Sequence, residues 1–271
     1  MSYITKVREK SPHVFSIMNE VASNFSANGL IAVGASPSIS NTPKEAEELA
    51  SVAKAVVLNL GTLSEDRAEA MILAGKSANE AGVPVILDPI AIGATKFRTD
   101  VIHDILSTID LSVICANAGE IAVLGEALDK TTSPDNALTE NDPEIAKAVA
   151  KKYNTVVIST GETDVITDGE RVMLCKNGHP MLQNITASGC TLNAIIGAFV
   201  SVAENNIYEA SIEAISSYGI AAELAMEKAE GPGSFISAFL DQLYALTEET
   251  ITTYAKLEMM EGSQDEGNYF H

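Results

Sequence analysis

Tryptophan is absent from this sequence of 271 residues, and aromatic residues make up only 5 % of it. A hydrophobic core must therefore consist mainly of aliphatic side chains, which is typical of parallel sheets covered by helices on both faces. Apolar residues reach 46 %, which is enough for a core of that kind. The length fits a single α/β domain, which we predict over residues 1–260, and residues 261–271 are predicted to be a disordered polar tail.

Basic residues are also scarce, because 17 lysines and arginines face 37 aspartates and glutamates, and the formal net charge is −20. A nucleic-acid partner requires a basic surface, so that class of partner is excluded. No apolar run is long enough to span a bilayer, and the first residues lack the apolar core of a signal peptide. We therefore expect a soluble, cytoplasmic protein with no membrane partner.

Only three cysteines occur, Cys115, Cys175 and Cys190, and their spacing fits neither a disulfide framework nor a zinc site. The four histidines also lack the spacing of metal ligands. Two nucleotide-binding motifs are missing. The P-loop motif GxxxxGK(S/T) does not occur, and no GxGxxG follows a predicted strand. A P-loop kinase is therefore excluded, and a dinucleotide-binding enzyme has no support.

Short apolar runs alternate with helical segments over the first 160 residues. Four buried strands are predicted, at residues 55–60, 83–89, 111–115 and 155–159. Residues 12–35 are predicted to be an entry segment followed by a helix around 19–30, which the Ala-Ser-Pro-Ser of 35–38 ends. Further helices are predicted at residues 43–53, 64–80, 98–108 and 143–152, and one more opens at Asn117. Alternation of this kind predicts a mainly parallel sheet.

The pattern changes after Gly161. Two apolar segments, 165–167 and 172–174, flank Asp168-Gly169, a turn signal that predicts an antiparallel hairpin at the edge of the sheet. Residues 189–257 are predicted to be nearly all helical, and the polar stretch 129–142 a surface loop. The expected fold is thus a three-layer α/β/α sandwich whose central sheet is mostly parallel with an antiparallel edge hairpin.

Polar residues end four of the predicted strands. Ligands of open α/β sheets bind beyond the carboxyl ends of the strands, so these residues are expected along one edge of the sheet. They are Asn59, Asp88, Asn117 and Thr160.

The segment Ala187-Ser188-Gly189-Cys190 lies in a turn of small residues that runs directly into a long apolar helix. The first backbone N–H groups of such a helix have no internal partners, and the helix dipole adds positive partial charge, so a phosphate could bind there. The alternative is an ordinary tight helix start.

Cys190 falls in the first turn of that helix, where the dipole would stabilise a thiolate. A thiol at this point could accept a proton from an attacking hydroxyl or position it. The alternative is that Cys190 is simply a small apolar residue at a helix start.

Two carboxylates, Asp88 and Glu120, follow neighbouring strands of the predicted sheet. Carboxylates placed in this way are suitable Mg²⁺ ligands, often through water, and phosphoryl transfer requires such an ion to neutralise charge. Alternatively, Glu120 stabilises the start of its helix and Asp88 stabilises a turn.

Five motifs occur in an order that resembles the hydroxyethylthiazole kinases of the ribokinase-like superfamily. They are Asn-Phe-Ser-Ala-Asn-Gly-Leu at 24–30, Gly-Ala-Ser-Pro at 34–37, Leu-Asn-Leu-Gly-Thr-Leu at 58–63, Val-Ile-Leu-Asp-Pro at 85–89 and Asn-Gly-His-Pro at 177–180. The resemblance implies a thiamin-salvage kinase that uses ATP and Mg²⁺ to phosphorylate 4-methyl-5-(2-hydroxyethyl)thiazole. It also implies a homotrimer with its sites at the subunit boundaries.

The resemblance also assigns roles to individual residues. Cys190 matches the catalytic position that holds Asp elsewhere in the superfamily, and Asp88 and Glu120 match the acids near the metal and the phosphates. The ATP contacts it implies are Thr160, Asn117, Ala187, Ser188, Gly189 and the position of Cys115. The substrate contacts it implies are Asn19, Ile39 and Ala187.

Three departures from the family pattern fall within these sites. Cys115 stands where the family usually has a phosphate-binding Arg, Ala187 lies in a turn that is usually rich in Gly, and Ile39 replaces Met. Residues 15–18 and Ala91 also differ from the pattern. Two alternatives therefore stay open: a related enzyme that acts on a different small substrate, and a non-catalytic trimer that only binds nucleotide.

Overall fold

The computed structural model describes residues 1–126 and 141–260, and their strands form one nine-stranded sheet. The predicted polar loop lies almost entirely outside the described residues, and the predicted tail lies wholly outside them. The strand order is β2-β1-β3-β4-β5-β6-β7-β8-β9. Strands β1 to β6 pair in parallel, and β6 to β9 pair antiparallel.

The elements of the first half, in chain order, are α1 Tyr3–Lys10, β1 His13–Ile17, α2 Ser23–Val33, β2 Ser36–Ile39, α3 Pro43–Val52, β3 Ala55–Asn59, α4 Glu65–Glu80, β4 Val85–Asp88, α5 Lys96–Thr108, β5 Val113–Asn117 and α6 Ala118–Glu126. Helix α4 illustrates how the sequence sets these bounds. The hydroxyl of Ser64 accepts a hydrogen bond from the N–H of Arg67, and two acids occupy the first turn, where the helix dipole favours negative charge.

The elements of the second half are α7 Pro143–Tyr153, β6 Val156–Thr160, β7 Asp164–Thr167, β8 Val172–Cys175, a 3-10 helix Pro180–Asn184, α8 Ser188–Val200, α9 Ile207–Met226, α10 Pro232–Ala245, α11 Glu248–Tyr254 and β9 Leu257–Met259. The four predicted central strands and the predicted hairpin are confirmed. Asn117 is the last residue of β5, and its side-chain oxygen accepts the N–H of Glu120, so it does open α6.

Five elements are missing from the sequence-based prediction. They are the strands β1, β2 and β9, the helix α1 and the 3-10 helix Pro180–Asn184; the helix predicted to start near residue 19 begins only at Ser23. Strand β2 is an edge strand with the sequence Ser-Pro-Ser-Ile, and Pro37 is tolerated there because an edge strand has N–H groups that need no partner. Strand β9, at the opposite edge, is only three residues long, and the helical pattern around it hides it.

Two hydrophobic clusters fill the layers on either side of the sheet. One surrounds α8 and α9 and includes Phe199, and the other packs under α4 and α5 and includes Met71. All five residues of β3 are buried, because neighbouring side chains face opposite clusters. Burial on both faces explains why the central strands appear as continuous apolar runs. No helix in residues 1–126 or 141–260 has the length and hydrophobicity that a membrane crossing requires.

Candidate active site

The four polar strand ends lie along one edge of the sheet, as predicted. Asn59 is paired with Asp88 across β3 and β4, and Asn117 is paired with Thr160 across β5 and β6. Strands β4 and β5 are parallel neighbours, so the four residues follow one another across four adjacent strands. This edge also faces the start of α8, which places the predicted anion site beside it.

A buried hydrogen-bond network joins this edge to the start of α8. Asn19 donates through Nδ2 to Oδ1 of Asn59 at 2.9 Å and to Sγ of Cys190 at 3.2 Å. Asn59 in turn donates through Nδ2 to Oδ2 of Asp88 at 2.5 Å. Asn19 is therefore joined to Cys190 directly and to Asp88 through Asn59, so the residues that the sequence assigned to the substrate, catalytic and metal positions belong to one network.

The thiol of Cys190 is buried, and this reverses the expected effect of the helix dipole. Burial and the nearby Asp88 carboxyl raise the pKa of Cys190 to about 11. The hydrogen bonds from Asn59 and Asn19 oppose the rise without cancelling it. The prediction of a dipole-stabilised thiolate is therefore wrong, because desolvation outweighs the dipole at this depth. At neutral pH Cys190 is a thiol.

Asp88 is buried as well, with 4 % of its surface exposed. Burial, and then repulsion from Glu120, raise the pKa of Asp88 to about 8, against the lowering effect of hydrogen bonds from Asn59 and Asn193. A carboxyl held in this way gains strongly from a nearby cation, since the cation would favour its charged form.

Glu120 accepts two backbone hydrogen bonds, from the N–H of Ala91 at 2.7 Å and from the N–H of Asn117 at 3.2 Å. It therefore holds the loop after β4 against the start of α6. Within the part of the chain that is described, no group of three or more His, Cys, Asp or Glu side chains forms a metal cage. The pair Asp88 and Glu120 nevertheless fits Mg²⁺, which commonly binds one or two carboxylates and completes its shell with water and phosphate oxygens.

The start of α8 has the geometry of an anion site. Ala187 precedes the helix with a φ of 67°, and the hydroxyl of Ser188 donates to the carbonyl of Leu182 at 2.8 Å. The phenol of Tyr218 donates to the carbonyl of Ser188 at 2.7 Å. The first turn is thus fixed by α9 and by the 3-10 helix, and its N–H groups remain available to a ligand.

A cleft of about 1020 Å³ opens in front of this helix start. Four of the predicted nucleotide residues line it, namely Asn117, Thr160, Ser188 and Gly189. Its remaining wall comes from the loop 161–164, the turn 176–180 and the side of α9. Asp164, Lys176 and Tyr218 also line the cleft, although the sequence did not predict them as site residues. Only the turn 176–180 carried a signal, because it contains the Asn-Gly-His-Pro motif.

Four of the predicted ATP and substrate contacts do not line the cleft, namely Asn19, Ile39, Cys115 and Ala187. Cys115 is 1 % exposed and buried in the cluster under α8 and α9. It lies two residues before the end of β5, about 7 Å below the edge, and does not line the cleft. The nucleotide contact predicted at Cys115 is therefore wrong. Ile39 lies on the edge strand β2, half-buried against the same cluster and away from the cleft wall.

Comparisons with known proteins place this chain in a family. The model of the hydroxyethylthiazole kinase family matches residues 4–249. The chain belongs to the hydroxyethylthiazole kinase family. It is 63 % identical, over 254 residues, to hydroxyethylthiazole kinase 2 of Oceanobacillus iheyensis, which covers 94 % of this chain and 97 % of the relative.

Solved structures support the same family and fold. The hydroxyethylthiazole kinase of Pyrococcus horikoshii superposes with a TM-score of 0.86 at 40 % identity, over 96 % of this chain and 98 % of its own. A pyridoxal kinase from Staphylococcus aureus, solved with AMP-PCP and pyridoxal, superposes with a TM-score of 0.54 at 15 % identity, over 78 % and 87 % of the two chains. The second likeness concerns the fold alone, which is ribokinase-like.

In this member of the hydroxyethylthiazole kinase family, Ala187 adopts a backbone conformation that favours glycine. We expect Ala187→Gly to raise the free energy of unfolding by up to about 1 kcal/mol, because the left-handed strain is relieved. Urea denaturation followed by circular dichroism measures this. Ala194→Gly, on a buried position of the same helix, is the control and should lower stability by about 1 kcal/mol or more. Equal losses in both variants would contradict the strain argument.

Proposed function

We propose that this chain transfers the γ-phosphoryl group of ATP to the hydroxyethyl group of 4-methyl-5-(2-hydroxyethyl)thiazole, as in thiamin salvage. The observation that carries the proposal is the start of α8, whose free N–H groups face the large cleft while Cys190 connects it to Asn19 and Asp88. Membership of the family and the relative named hydroxyethylthiazole kinase support the choice of acceptor.

The start of α8, Cys190 and Asn19 each have a separate role in the proposed reaction. The backbone N–H groups of residues 188–190 stabilise the transferring phosphoryl group, because they are fixed before the reaction and carry the helix dipole. The substrate hydroxyl lies beside Cys190, and Asn19 orients the thiol through its hydrogen bond. The protonated thiol positions the hydroxyl and does not itself accept the proton. The hydroxyl proton passes to an oxygen of the transferred phosphoryl group as the new P–O bond forms, and little base strength is needed before that point because the transition state of phosphoryl transfer is largely dissociative.

Asp88 and Glu120 are the residues that would hold Mg²⁺. The ion would neutralise negative charge on the phosphates, which this acidic protein otherwise repels. Cytoplasmic location also remains part of the proposal, since ATP is the co-substrate.

The proposed assembly is a homotrimer with its sites at the subunit boundaries. The family resemblance is what supports it. Val21, two residues after Asn19, is 62 % exposed and Ile31 on α2 is 60 % exposed, and a subunit contact at this surface would cover them.

A different small alcohol is the second candidate substrate. Ala187 lies in the turn that the family usually builds from glycine, three residues before Cys190 in the chain. A side-chain methyl at this position would narrow the space for an acceptor bound at Cys190.

A coupled ADP-release assay with Mg²⁺-ATP, with and without hydroxyethylthiazole, tests the proposal. We expect ADP release to depend strongly on the thiazole. If the thiazole does not change ADP release and another hydroxymethyl heterocycle does, that second alcohol is the substrate. If the protein binds nucleotide but turns over none of the alcohols tested, it is a nucleotide-binding protein without kinase activity, and the kinase proposal is overturned.

We expect Cys190→Ala to retain measurable turnover, with a loss in kcat of no more than about 100-fold, because a thiol with a raised pKa contributes little as a base. Cys190→Asp should keep or raise turnover. Steady-state kinetics of both variants measure this, with Cys175→Ala, a buried cysteine of β8 outside the cleft wall, as the control. A loss of more than about 10⁴-fold in Cys190→Ala would contradict the weak role.

A further inference from the structure

The polar edge of the sheet continues beyond the four predicted residues. Strand β7 runs antiparallel to β6, so its first residue, Asp164, lies at the same edge as Thr160. Strand β8 runs antiparallel to β7, and Asp164 is paired with Cys175, the last residue of β8. The edge therefore extends from Asp88 on β4 to Asp164 on β7, which is three strand spacings or about 14 Å.

The two ends of this edge differ in the charge they favour. One end carries the start of α8, whose N–H groups attract anions, together with Asp88 and Glu120, the pair that fits Mg²⁺. The other end carries the acids Glu162 and Asp164 in the cleft wall, which repel phosphate, and Lys176 of the same wall is paired with Glu258 at 2.6 Å. A nucleotide whose phosphates lie at α8 therefore extends its nucleoside toward β7.

Asp164 is placed to receive a hydrogen bond from that nucleoside. Its Oδ1 accepts the N–H of Gly161 at 2.9 Å and so closes the turn after β6. Its Oδ2 accepts no hydrogen bond from any residue in the described parts of the chain, although the side chain is half-buried in the cleft wall. Burial raises the pKa of Asp164 to about 7, so the carboxyl is poorly solvated and lacks donors.

The chemistry of a nucleoside matches this acceptor. A ribose presents two hydroxyl donors side by side, whereas an adenine ring presents one amino group among several acceptors that would face a carboxylate unfavourably. A hydroxyl bound to a buried carboxylate makes a charge-assisted hydrogen bond, which is stronger than a neutral one.

We propose that Asp164 is a specificity-determining residue of the nucleotide site and accepts a hydrogen bond from a ribose hydroxyl of ATP through Oδ2. The inference rests on the proposed function, since it assumes that the nucleotide is ATP. It makes the enzyme selective for ribonucleotides over deoxyribonucleotides. Asp164→Asn weakens this selectivity but keeps an oxygen for the N–H of Gly161, so the turn after β6 remains intact.

Isothermal titration calorimetry of the full chain with Mg²⁺ and ATP, 2′-deoxy-ATP or 3′-deoxy-ATP tests the inference. We expect the wild type to bind ATP at least about tenfold more tightly than one of the two deoxynucleotides. In Asp164→Asn, that ratio should fall to about threefold or less, and most of the change should come from weaker binding of ATP. Glu162→Gln, an acid of the same loop and cleft wall, is the control and should keep the wild-type ratio.

The outcomes separate the inference from the proposed function. A wild type that binds all three nucleotides equally would overturn the role of Asp164, and so would a variant that weakens all three by the same factor, since that is the effect of a structural residue. Thermal melting of Asp164→Asn without nucleotide separates such a structural loss from a lost contact. A wild type that binds no ATP would overturn the proposed function and the inference together.

Discussion

Asp88→Asn should lower kcat/KM by about 100- to 1000-fold, the cost of removing one preorganised electrostatic group from a transition state. The amide keeps the shape of the side chain, and its oxygen can still accept the hydrogen bond from Asn59. It loses the negative charge that would hold Mg²⁺ beside the phosphates. The coupled ADP-release assay measures the loss, and the Mg²⁺ concentration for half-maximal rate should rise with it.

The same substitution should not weaken the fold. The pKa of Asp88 is raised to about 8 in the folded chain, whereas an unfolded aspartate titrates near 3.8. Between these two values the unfolded chain releases a proton that the folded chain retains, so the carboxyl lowers stability as the pH rises from about 4 to 8. In the presence of a chelator, Asp88→Asn should therefore melt at the same temperature as the wild type near pH 4 and at a higher temperature near pH 8.

Asp142→Asn provides the matched control, because Asp142 is an exposed cap of α7 that accepts the N–H of Glu144. It should leave kcat/KM unchanged. An Asp88→Asn variant that keeps wild-type activity, or that loses stability together with activity at pH 8, would contradict the role assigned to the buried carboxyl.

The contrast between Asp88 and Cys190 shows how far the sequence alone could define the site. Strand ends and a helix start are local features, and the sequence analysis located Asp88, Thr160 and the turn before α8 from them. Whether a side chain at a strand end or helix start is charged depends on how deeply it is buried, and that burial comes from segments remote in sequence. Thus the helix start suggested a thiolate, and the depth of the site in the structure makes Cys190 a thiol.

The same reasoning explains the missing elements of the fold. Strands β3 to β6 are buried on both faces up to their polar ends, so each one begins as a continuous apolar run that predicts its strand without any partner. Strands β2 and β9 lie at the two edges, and they are strands only because β1 and β8 offer them hydrogen-bond partners. Such a dependence on partners distant in sequence has no local signal.

The far wall of the cleft was missed for a related reason. The turn that begins at Asn177 is fixed by residues remote in sequence, because the side chain of Asn177 donates to Glu223 at 3.2 Å and to the carbonyl of Tyr254 at 2.9 Å. Its oxygen accepts the N–H of Lys256 at 2.7 Å. Gly219 of α9 lies directly behind this turn, and an added methyl group would stand 2.5 Å from the carbonyl carbon and oxygen of Asn177.

Gly219→Ala should therefore lower the free energy of unfolding by about 1–3 kcal/mol, the usual cost of overpacking. In an unhindered helix interior the same change would raise stability by about 1 kcal/mol, so the direction of the effect is diagnostic. Urea denaturation measures it, and ATP affinity should fall as well, since the turn forms one wall of the cleft. Gly233→Ala, where an added methyl group meets nothing within 4 Å, should cost no stability. A Gly219→Ala variant as stable as the wild type would show that the turn at Asn177 moves to accommodate the methyl group, and would contradict a rigid wall on this side of the cleft.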